Sequence, residues 1–280
     1  MSDHRRYSDQ CMLMQRLLEA PESAGNLEDV EFVQELKAAV DAHAELPDSP
    51  RSTAQMAAES FAGWTVEDYQ AYVQAFMRQP VQGFENMAYG TRYFVPMVEL
   101  VQYLAENGFR VYICSGTERI FVRVMIEDTL GKWIPPYQVI GSSFTLTATG
   151  QGDTAGRSYT YAPDDQVLMG GDVSFKNLKM NKVVSIVNEL GTAPIMVFGN
   201  SSGDFAMAQY ALQHGGKAYM LLCDDTKRDY GDAAEAAEFA EKCAALGFET
   251  ISMRDEFTTI YADTIVKAEA TESEALKPAA

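Results

Sequence analysis

From Phe94 onward the chain alternates short apolar runs with helical stripes, and this alternation constrains the fold more than any other feature. The apolar runs predict strands at 110–114, 137–140, 195–198, 217–222 and 248–253. Repeated strand-helix units of this length favour a parallel sheet that helices cover on both faces. We therefore predict an α/β fold with a Rossmann-like, doubly wound parallel sheet.

Residues 1–90 show a different pattern, with apolar residues at helical spacing and no convincing strand. One stripe, at 66–77, follows Thr65, whose spacing to Asp68 is typical of a capping box. We expect a helical subdomain over 1–90, an α/β core over 91–266 and a disordered tail over 267–280. Inside the core, residues 142–171 are rich in Thr, Gly, Tyr and Asp and predict a hairpin excursion.

The charge of the chain excludes several classes of partner. Its 280 residues include 22 Lys and Arg against 40 Asp and Glu, a formal net charge of −18. Nucleic acid and anionic membranes would be repelled over most of the surface. No apolar run approaches the roughly 20 residues of a membrane-spanning helix. We expect a soluble cytoplasmic protein, although an upstream segment could carry an export signal, and the sequence does not indicate an oligomeric state.

Polar residues follow three of the predicted strands or open the next helix. They are Ser115 and Gly116, the lysines Lys179 and Lys182 within FKNLKMNK, and the segment GNSSGD at 199–204. In a doubly wound sheet, ligands bind beyond the carboxyl ends of the strands, so these groups are expected to meet. A hydroxyl, a free N–H, a lysine and a carboxylate together suit phosphoryl transfer.

The order and spacing of these residues over about 90–255 resemble the haloacid dehalogenase superfamily of phosphohydrolases, in particular its phosphoserine-phosphatase and phosphorylcholine-phosphatase-like branch. The resemblance implies that the Ser115 hydroxyl and the Gly116 N–H bind phosphoryl oxygens. It implies that Lys182 pairs with the phosphate and with the attacking aspartate, and Lys179 is the reserve candidate for this lysine.

The same resemblance implies a magnesium site and a substrate class. In GNSSGD, Asp204 would anchor Mg²⁺, and Asn200 stands where an aspartate is more usual. The helical segment before residue 90 would be the cap that closes over the substrate and excludes water. The implied activity is hydrolysis of a small phosphorylated metabolite through an aspartyl-phosphate.

The first motif of that family, an apolar strand ending in Asp-x-Asp-x-Thr/Val, is absent from this sequence. In the family this strand lies between the strand ending at Cys114 and the strand ending at Phe198. We therefore expect an interrupted sheet with unpaired backbone groups on both neighbours. We interpret the absence as a chain that begins too late. The alternative is a non-catalytic relative that only binds a phosphate-like anion.

A competing motif is the segment GNSSG, which also fits the nucleophile elbow of serine α/β-hydrolases with Ser201 as nucleophile. That fold places an acid and then a histidine after the serine in the chain. The histidines are His4, His43 and His214, and His214 follows Ser201 by only 13 residues, with Asp204 as the intervening acid. This order disfavours the serine hydrolase.

Overall fold

The computed structural model describes residues 7–23, 27–41 and 47–268. The region before residue 90 is helical, as its apolar spacing predicts, with helices α1 (Ser8–Glu19), α2 (Leu27–Asp41), α3 (Thr53–Ser60) and α4 (Val66–Met77). Thr65 is the N-cap of α4, because its side chain accepts a hydrogen bond of 3.0 Å from the Asp68 N–H, which is one half of the predicted capping box. One short strand, β1 (Phe84–Glu85), ends this region and is not predicted by the sequence.

The rest of the described chain alternates strands and helices. Its elements are α5 (Val95–Glu106), β2 (Ile113–Glu118), α6 (Arg119–Ile126), β3 (Val139–Ala148), β4 (Val167–Phe175), α7 (Met180–Ser185), β5 (Met196–Gly199), α8 (Phe205–Gln213), β6 (Lys217–Leu222), α9 (Ala233–Ala245), β7 (Glu249–Ser252), α10 (Met253–Glu256) and β8 (Val266–Lys267). A π-helical turn, Ile186–Leu190, prolongs α7 and ends at Gly191 with φ 67°. The predicted α/β class is confirmed.

The strands form three sheets in place of one. Strands β5, β6 and β7 are parallel in that order. Strand β2 pairs in parallel with β3, and β3 turns back into β4 as the antiparallel hairpin predicted over 142–171. The pair β1 and β8 forms a small antiparallel ladder.

The expected interruption lies between β2 and β5. Within the described residues, each of these strands pairs with a neighbour on one side only, and no strand lies between them. Residues 113–117 of β2 are only half-buried, and Ile195 just before β5 is 64% exposed. Parallel strands are usually covered on both faces and paired on both edges, so this exposure marks an open seam. We call the space between β2 and β5 the seam.

The bounds of β2 differ from the prediction. The sequence predicts a strand at 110–114 that turns at Ser115 and Gly116, whereas the structure carries extended backbone from Ile113 to Glu118. Ser142 of β3 explains the difference, because its hydroxyl donates to the Gly116 carbonyl at 2.6 Å and its backbone pairs with Glu118. The ladder shifts register between Cys114 and Glu118, so Ser115 and Gly116 lie in an irregular strand.

One large apolar cluster joins the helical region to the α/β region. It includes Phe61 and Tyr69 from the helices, Phe121 from α6 and Tyr261 near the end of the described chain. Lys267, placed by the sequence at the start of the tail, pairs with Phe84 in the β1–β8 ladder, and residues 269–280 lie outside the described residues. In the described ranges, no helix has the length and apolarity needed to cross a bilayer.

Candidate functional site

Lys182 of α7 bonds both sides of the seam, namely Cys114 of β2 and Asp204 in the loop after β5. Its Nζ donates to the Cys114 carbonyl at 2.7 Å and to Asp204 Oδ1 at 2.6 Å. Both side chains of this ion pair are buried, with 7% of Lys182 and 9% of Asp204 exposed. A buried charge of this kind is stable only when paired and hydrogen-bonded. Two of the residues predicted to form the site are therefore in direct contact.

The second oxygen of Asp204 organises the loop after β5. Oδ2 accepts hydrogen bonds from the Asn200 N–H at 3.1 Å, the Ser201 N–H at 3.3 Å and the Ser201 hydroxyl at 3.3 Å. Gly199 permits this close approach, because a Cβ at that position would lie 2.6 Å from the Asp204 Cβ. Asp204 thus orients both Lys182 and the backbone N–H groups of the loop.

Ser115 and Gly116 lie at the same edge, directly after the carbonyl that Lys182 contacts. The half-buried Ser115 hydroxyl accepts from the Thr117 N–H at 3.1 Å, which leaves its proton for another acceptor. The Gly116 carbonyl accepts from Lys176 Nζ at 3.0 Å. A hydroxyl donor and two lysines therefore lie beside residues 114–116 of β2.

The two candidate lysines are in different environments. The side chain of Lys182 is buried and reaches across the seam, whereas the side chain of Lys179 is exposed. Lys179 caps α7 with φ 53°, a left-handed conformation uncommon for residues other than glycine. One helical turn therefore separates a surface lysine from the lysine that reaches the strand ends.

Helix α1 brings two further residues to this edge that the sequence did not indicate. Burial raises the pKa of the Asp9 carboxyl above its usual range, while a hydrogen bond with Thr117 and the charge of Lys176 act in the opposite direction. Tyr7, the residue before α1, is 63% exposed, and its partial burial together with the carboxylates of Asp204 and Asp9 raises the pKa of its phenol. Lys176 belongs to the lysine-rich segment noted in the sequence, but no pattern links Asp9 to a strand more than a hundred residues away.

The described residues do not fit Mg²⁺ as they stand. They contain no group of three or more His, Cys, Asp or Glu side chains placed to hold a metal ion. Asp204 supplies one carboxylate, and its two oxygens already accept from Lys182, Asn200 and Ser201. Mg²⁺ needs oxygen ligands in near-octahedral geometry, and a lysine ammonium on the anchoring carboxylate competes with it. Asn200 and Asp204 alone therefore do not make the expected site.

The serine-hydrolase alternative does not form with the histidine that is described. The Ser201 hydroxyl contacts Asp204, and His214 lies beyond the far end of α8, about 14 Å along the helix axis. The His214 ring contacts the Tyr210 carbonyl at 2.8 Å. His4 and His43 lie outside the described residues. Ser201 is better explained as part of the loop that Asp204 organises.

Comparisons with known proteins place this arrangement in a family. A model of haloacid dehalogenase-like hydrolases matches residues 9–209. The chain is similar to a protein of unknown function from Bordetella pertussis Tohama I, with 13% identity, TM-score 0.50 and coverage of 89% of this chain and 93% of that one. It is also similar to a phosphoserine phosphohydrolase-like protein from Francisella tularensis subsp. tularensis SCHU S4, with 12% identity, TM-score 0.43 and coverage of 88% and 96%. No curated protein matches.

Proposed function

Because the chain belongs to the haloacid dehalogenase-like hydrolase family, we propose that the edge formed by Ser115, Lys182 and Asp204 binds the phosphoryl group of a small phosphomonoester for hydrolysis. The supporting observation is the position of the Lys182 ammonium. It is buried, and it bonds the carbonyl of Cys114, the residue directly before Ser115, and the carboxylate of Asp204 in the loop after β5. The family match supports hydrolysis, and the groups present support a phosphoryl anion.

The chain's own residues supply binding and charge neutralisation. The Lys182 ammonium would neutralise the phosphoryl oxygens, and the Ser115 hydroxyl and the Gly116 N–H would donate hydrogen bonds to them. The Lys182 ammonium is buried, which strengthens its interaction with an anion. Asp204 is a positioning residue in this scheme, because it holds Lys182 and does not itself touch the phosphoryl group.

Hydrolysis of this type needs an attacking carboxylate. In the proposed reaction an aspartate oxygen forms a bond to phosphorus as the bond to the leaving alcohol oxygen breaks, and the alcohol takes up a proton. Water then attacks the aspartyl-phosphate and releases inorganic phosphate. Asp204 is unsuited to the attack because both of its oxygens accept hydrogen bonds. Asn200 and Asp204 alone do not fit Mg²⁺.

A phosphate-binding measurement tests the proposal without relying on turnover. Isothermal titration with inorganic phosphate is expected to show one site, and Lys182→Met should weaken it at least about tenfold, the effect of losing a charge-assisted hydrogen bond. The control is Lys217→Met, which removes an exposed lysine from the amino-terminal end of β6. Ser115→Ala should weaken phosphate binding to a smaller degree.

The contrary outcomes are distinct. Equal weakening by Lys182→Met and Lys217→Met, with both variants folded by circular dichroism, would refute the proposed site. Hydrolysis of an aryl phosphate by the chain alone would show that the attacking carboxylate is already among its residues. Phosphate binding without turnover would favour a protein that only binds the anion.

A further inference from the structure

Three successive carbonyls of β2, those of residues 114–116, accept hydrogen bonds from side chains. Among the described residues, 115–117 have no pairing partner in the β2–β3 ladder, whose register shifts there. Three of the side-chain donors come from one segment that ends in α7, namely Lys176, Asn177 and Lys182. This segment, rather than a regular ladder, therefore fixes the backbone of β2 beside the proposed phosphoryl site.

Asn177 joins β2 to both β3 and α7. Its side chain is fully buried, its Nδ2 donates to the Ser115 carbonyl at 2.8 Å, and its Oδ1 accepts from the Ser185 hydroxyl at 2.9 Å. Its backbone N–H donates to the Ser142 hydroxyl of β3 at 3.0 Å. Because a carbonyl can only accept, the amide atom that faces Ser115 must be the nitrogen, and this contact defines the orientation of the amide.

The bond from Asn177 also determines the direction of the Gly116 N–H. A peptide unit is planar and trans, so the Ser115 carbonyl and the Gly116 N–H point in opposite directions. Since the carbonyl points at Asn177, the N–H points away from it. That N–H is one of the donors to the phosphoryl group in the proposed function. A buried side chain on the opposite side of the peptide therefore sets the direction of this donor.

The same side chain links this N–H to the buried lysine. Ser185, which bonds Asn177, lies about one helical turn after Lys182 in α7. Lys182 in turn bonds the carbonyl of Cys114, directly before the peptide that Asn177 holds. These contacts close a loop from β2 through Asn177 and α7 back to β2. The loop fixes the spacing between the Lys182 ammonium and the Gly116 N–H.

Backbone strain lies within the same segment. Lys179 has φ 53° and ψ −122°, a combination that is unfavourable for a residue with a side chain. A strained conformation of this kind persists only where the surrounding structure determines it, and such residues cluster at functional sites. The bonds of Asn177 on one side of Lys179 and of Lys182 on the other supply this restraint.

We propose that Asn177 is a positioning residue of the phosphoryl site, which holds the peptide between Ser115 and Gly116 so that the Gly116 N–H faces the anion at a fixed distance from the Lys182 ammonium. Asn177 itself does not touch the phosphoryl group. The effect on phosphate rests on the proposed function, whereas the orientation of the peptide does not.

Residual dipolar couplings of the full chain test the orientation without any ligand. In partly aligned protein, the coupling of an amide reports the direction of its N–H bond. Asn177→Ala should change the coupling of the Gly116 amide and leave those of β6 unchanged. The matched control is Asn181→Ala, because the Asn181 side chain donates at 2.8 Å to the Lys176 carbonyl, within its own segment. This control should retain the wild-type coupling at Gly116.

Titration with inorganic phosphate tests the consequence for the site. Asn177→Ala should bind phosphate about tenfold more weakly, because a misdirected N–H loses a hydrogen bond to a charged group, and Asn181→Ala should bind it as the wild type does. Phosphate should also shift the Gly116 amide proton of the wild type downfield, and Asn177→Ala should abolish that shift. A merely structural role would lower stability without changing this signal.

A milder variant is available if Asn177→Ala does not fold. Ser185→Ala removes only the bond to Asn177 Oδ1 and should change the Gly116 coupling and the phosphate affinity in the same direction, to a smaller degree. An unchanged Gly116 coupling in the folded variant overturns the positioning role. Equal effects of the Asn177 and Asn181 substitutions also overturn it.

The positioning role and the proposed function fail in different ways. Phosphate binding that is the same in the wild type and in Asn177→Ala overturns the positioning role and retains the phosphoryl site. A changed Gly116 coupling with no phosphate binding by any of the proteins retains the orientation of the peptide and overturns the proposed function.

Discussion

The surroundings of Phe61 and Phe198 show how differently two regions of this molecule are packed. Phe61, in the helical region, is 0% exposed and makes edge-on contacts with Trp64, Tyr69 and Tyr72 at centroid distances of 5.3, 4.9 and 5.4 Å. Phe198, at the seam, is half-buried, stacks on Tyr219 at 5.1 Å and lines an apolar cavity of about 220 Å³. The same side chain thus completes a core in one region and borders a void in the other.

The difference lies in what connects the elements. Around Phe61, helices and hairpin form one continuous apolar cluster. Across the seam no backbone ladder joins β2 to β5 within the described residues, and the connection consists of side chains. Lys182 bonds both sides, and Cys114 of β2 packs against the cluster that contains Val197 of β5. Stability is therefore expected to reside in the helical region, and ligand-accessible polar groups lie at the seam.

Truncating the two phenylalanines gives the largest expected contrast. Phe61→Ala should lower the free energy of unfolding by about 4 kcal/mol, because a fully buried ring leaves a cavity among aromatic neighbours. Phe198→Ala should cost about 1 kcal/mol, because the ring is only partly buried and already borders the cavity. Urea unfolding followed by tryptophan fluorescence measures both values. Equal costs for the two substitutions would mean that the seam is as well packed as the helical core, and the comparison would be wrong.

Much of the fold follows from local sequence patterns. Strand β6 occupies the predicted residues 217–222, and α9 begins at Ala233 as its apolar spacing indicates. The gap between β2 and β5 was predicted from a motif that the sequence lacks. The strand and the helix depend on local period, which a sequence displays directly, whereas the gap follows from the strand order that the family resemblance implies.

The bounds of β2 and the contribution of α1 to the site did not follow from the sequence. Residues 115–118 are extended because Ser142 of β3 bonds to them, and a long-range contact of this kind leaves no local signal. Asp9 approaches Thr117 and Lys176 only through the packing of α1. The sequence predicted that Lys182 and Asp204 would meet at the strand ends, but it assigned Lys182 to the phosphate and Asp204 to Mg²⁺, and their direct ion pair depends on the folded loop after β5.

A pH-dependent effect of intermediate size is expected at Glu118, where β2 meets the helical region. Burial raises the pKa of its carboxyl to about 6, although hydrogen bonds from the Ile120 and Phe121 N–H groups act in the opposite direction. The folded state therefore holds a proton that the unfolded chain releases near pH 4.5. The contribution of Glu118 to stability is greatest below that pH and falls by about 2 kcal/mol as pH rises through 6.

Urea titrations between pH 4 and pH 7.5 test this sign. Glu118→Gln should reduce the loss of stability over that interval, since the amide carries no charge at either end. The matched change Glu127→Gln removes an exposed carboxyl just after the same helix, α6. If the two variants change the pH dependence of the unfolding free energy equally, burial of Glu118 is not the cause, and its carboxyl is more solvated than its geometry indicates.

The smallest expected effect lies at Thr65, in the region whose structure the sequence predicts best. The Thr65 hydroxyl accepts from the Asp68 N–H at 3.0 Å and donates to the Asp68 carboxylate at 2.7 Å. Thr65→Ala should cost about 1 kcal/mol, because α4 loses the acceptor for one of its unpaired N–H groups, whereas Thr65→Ser keeps the hydroxyl and should cost a few tenths. Urea unfolding measures both values. Equal costs for Thr65→Ala and Thr65→Ser would show that the hydroxyl is not what stabilises the start of α4.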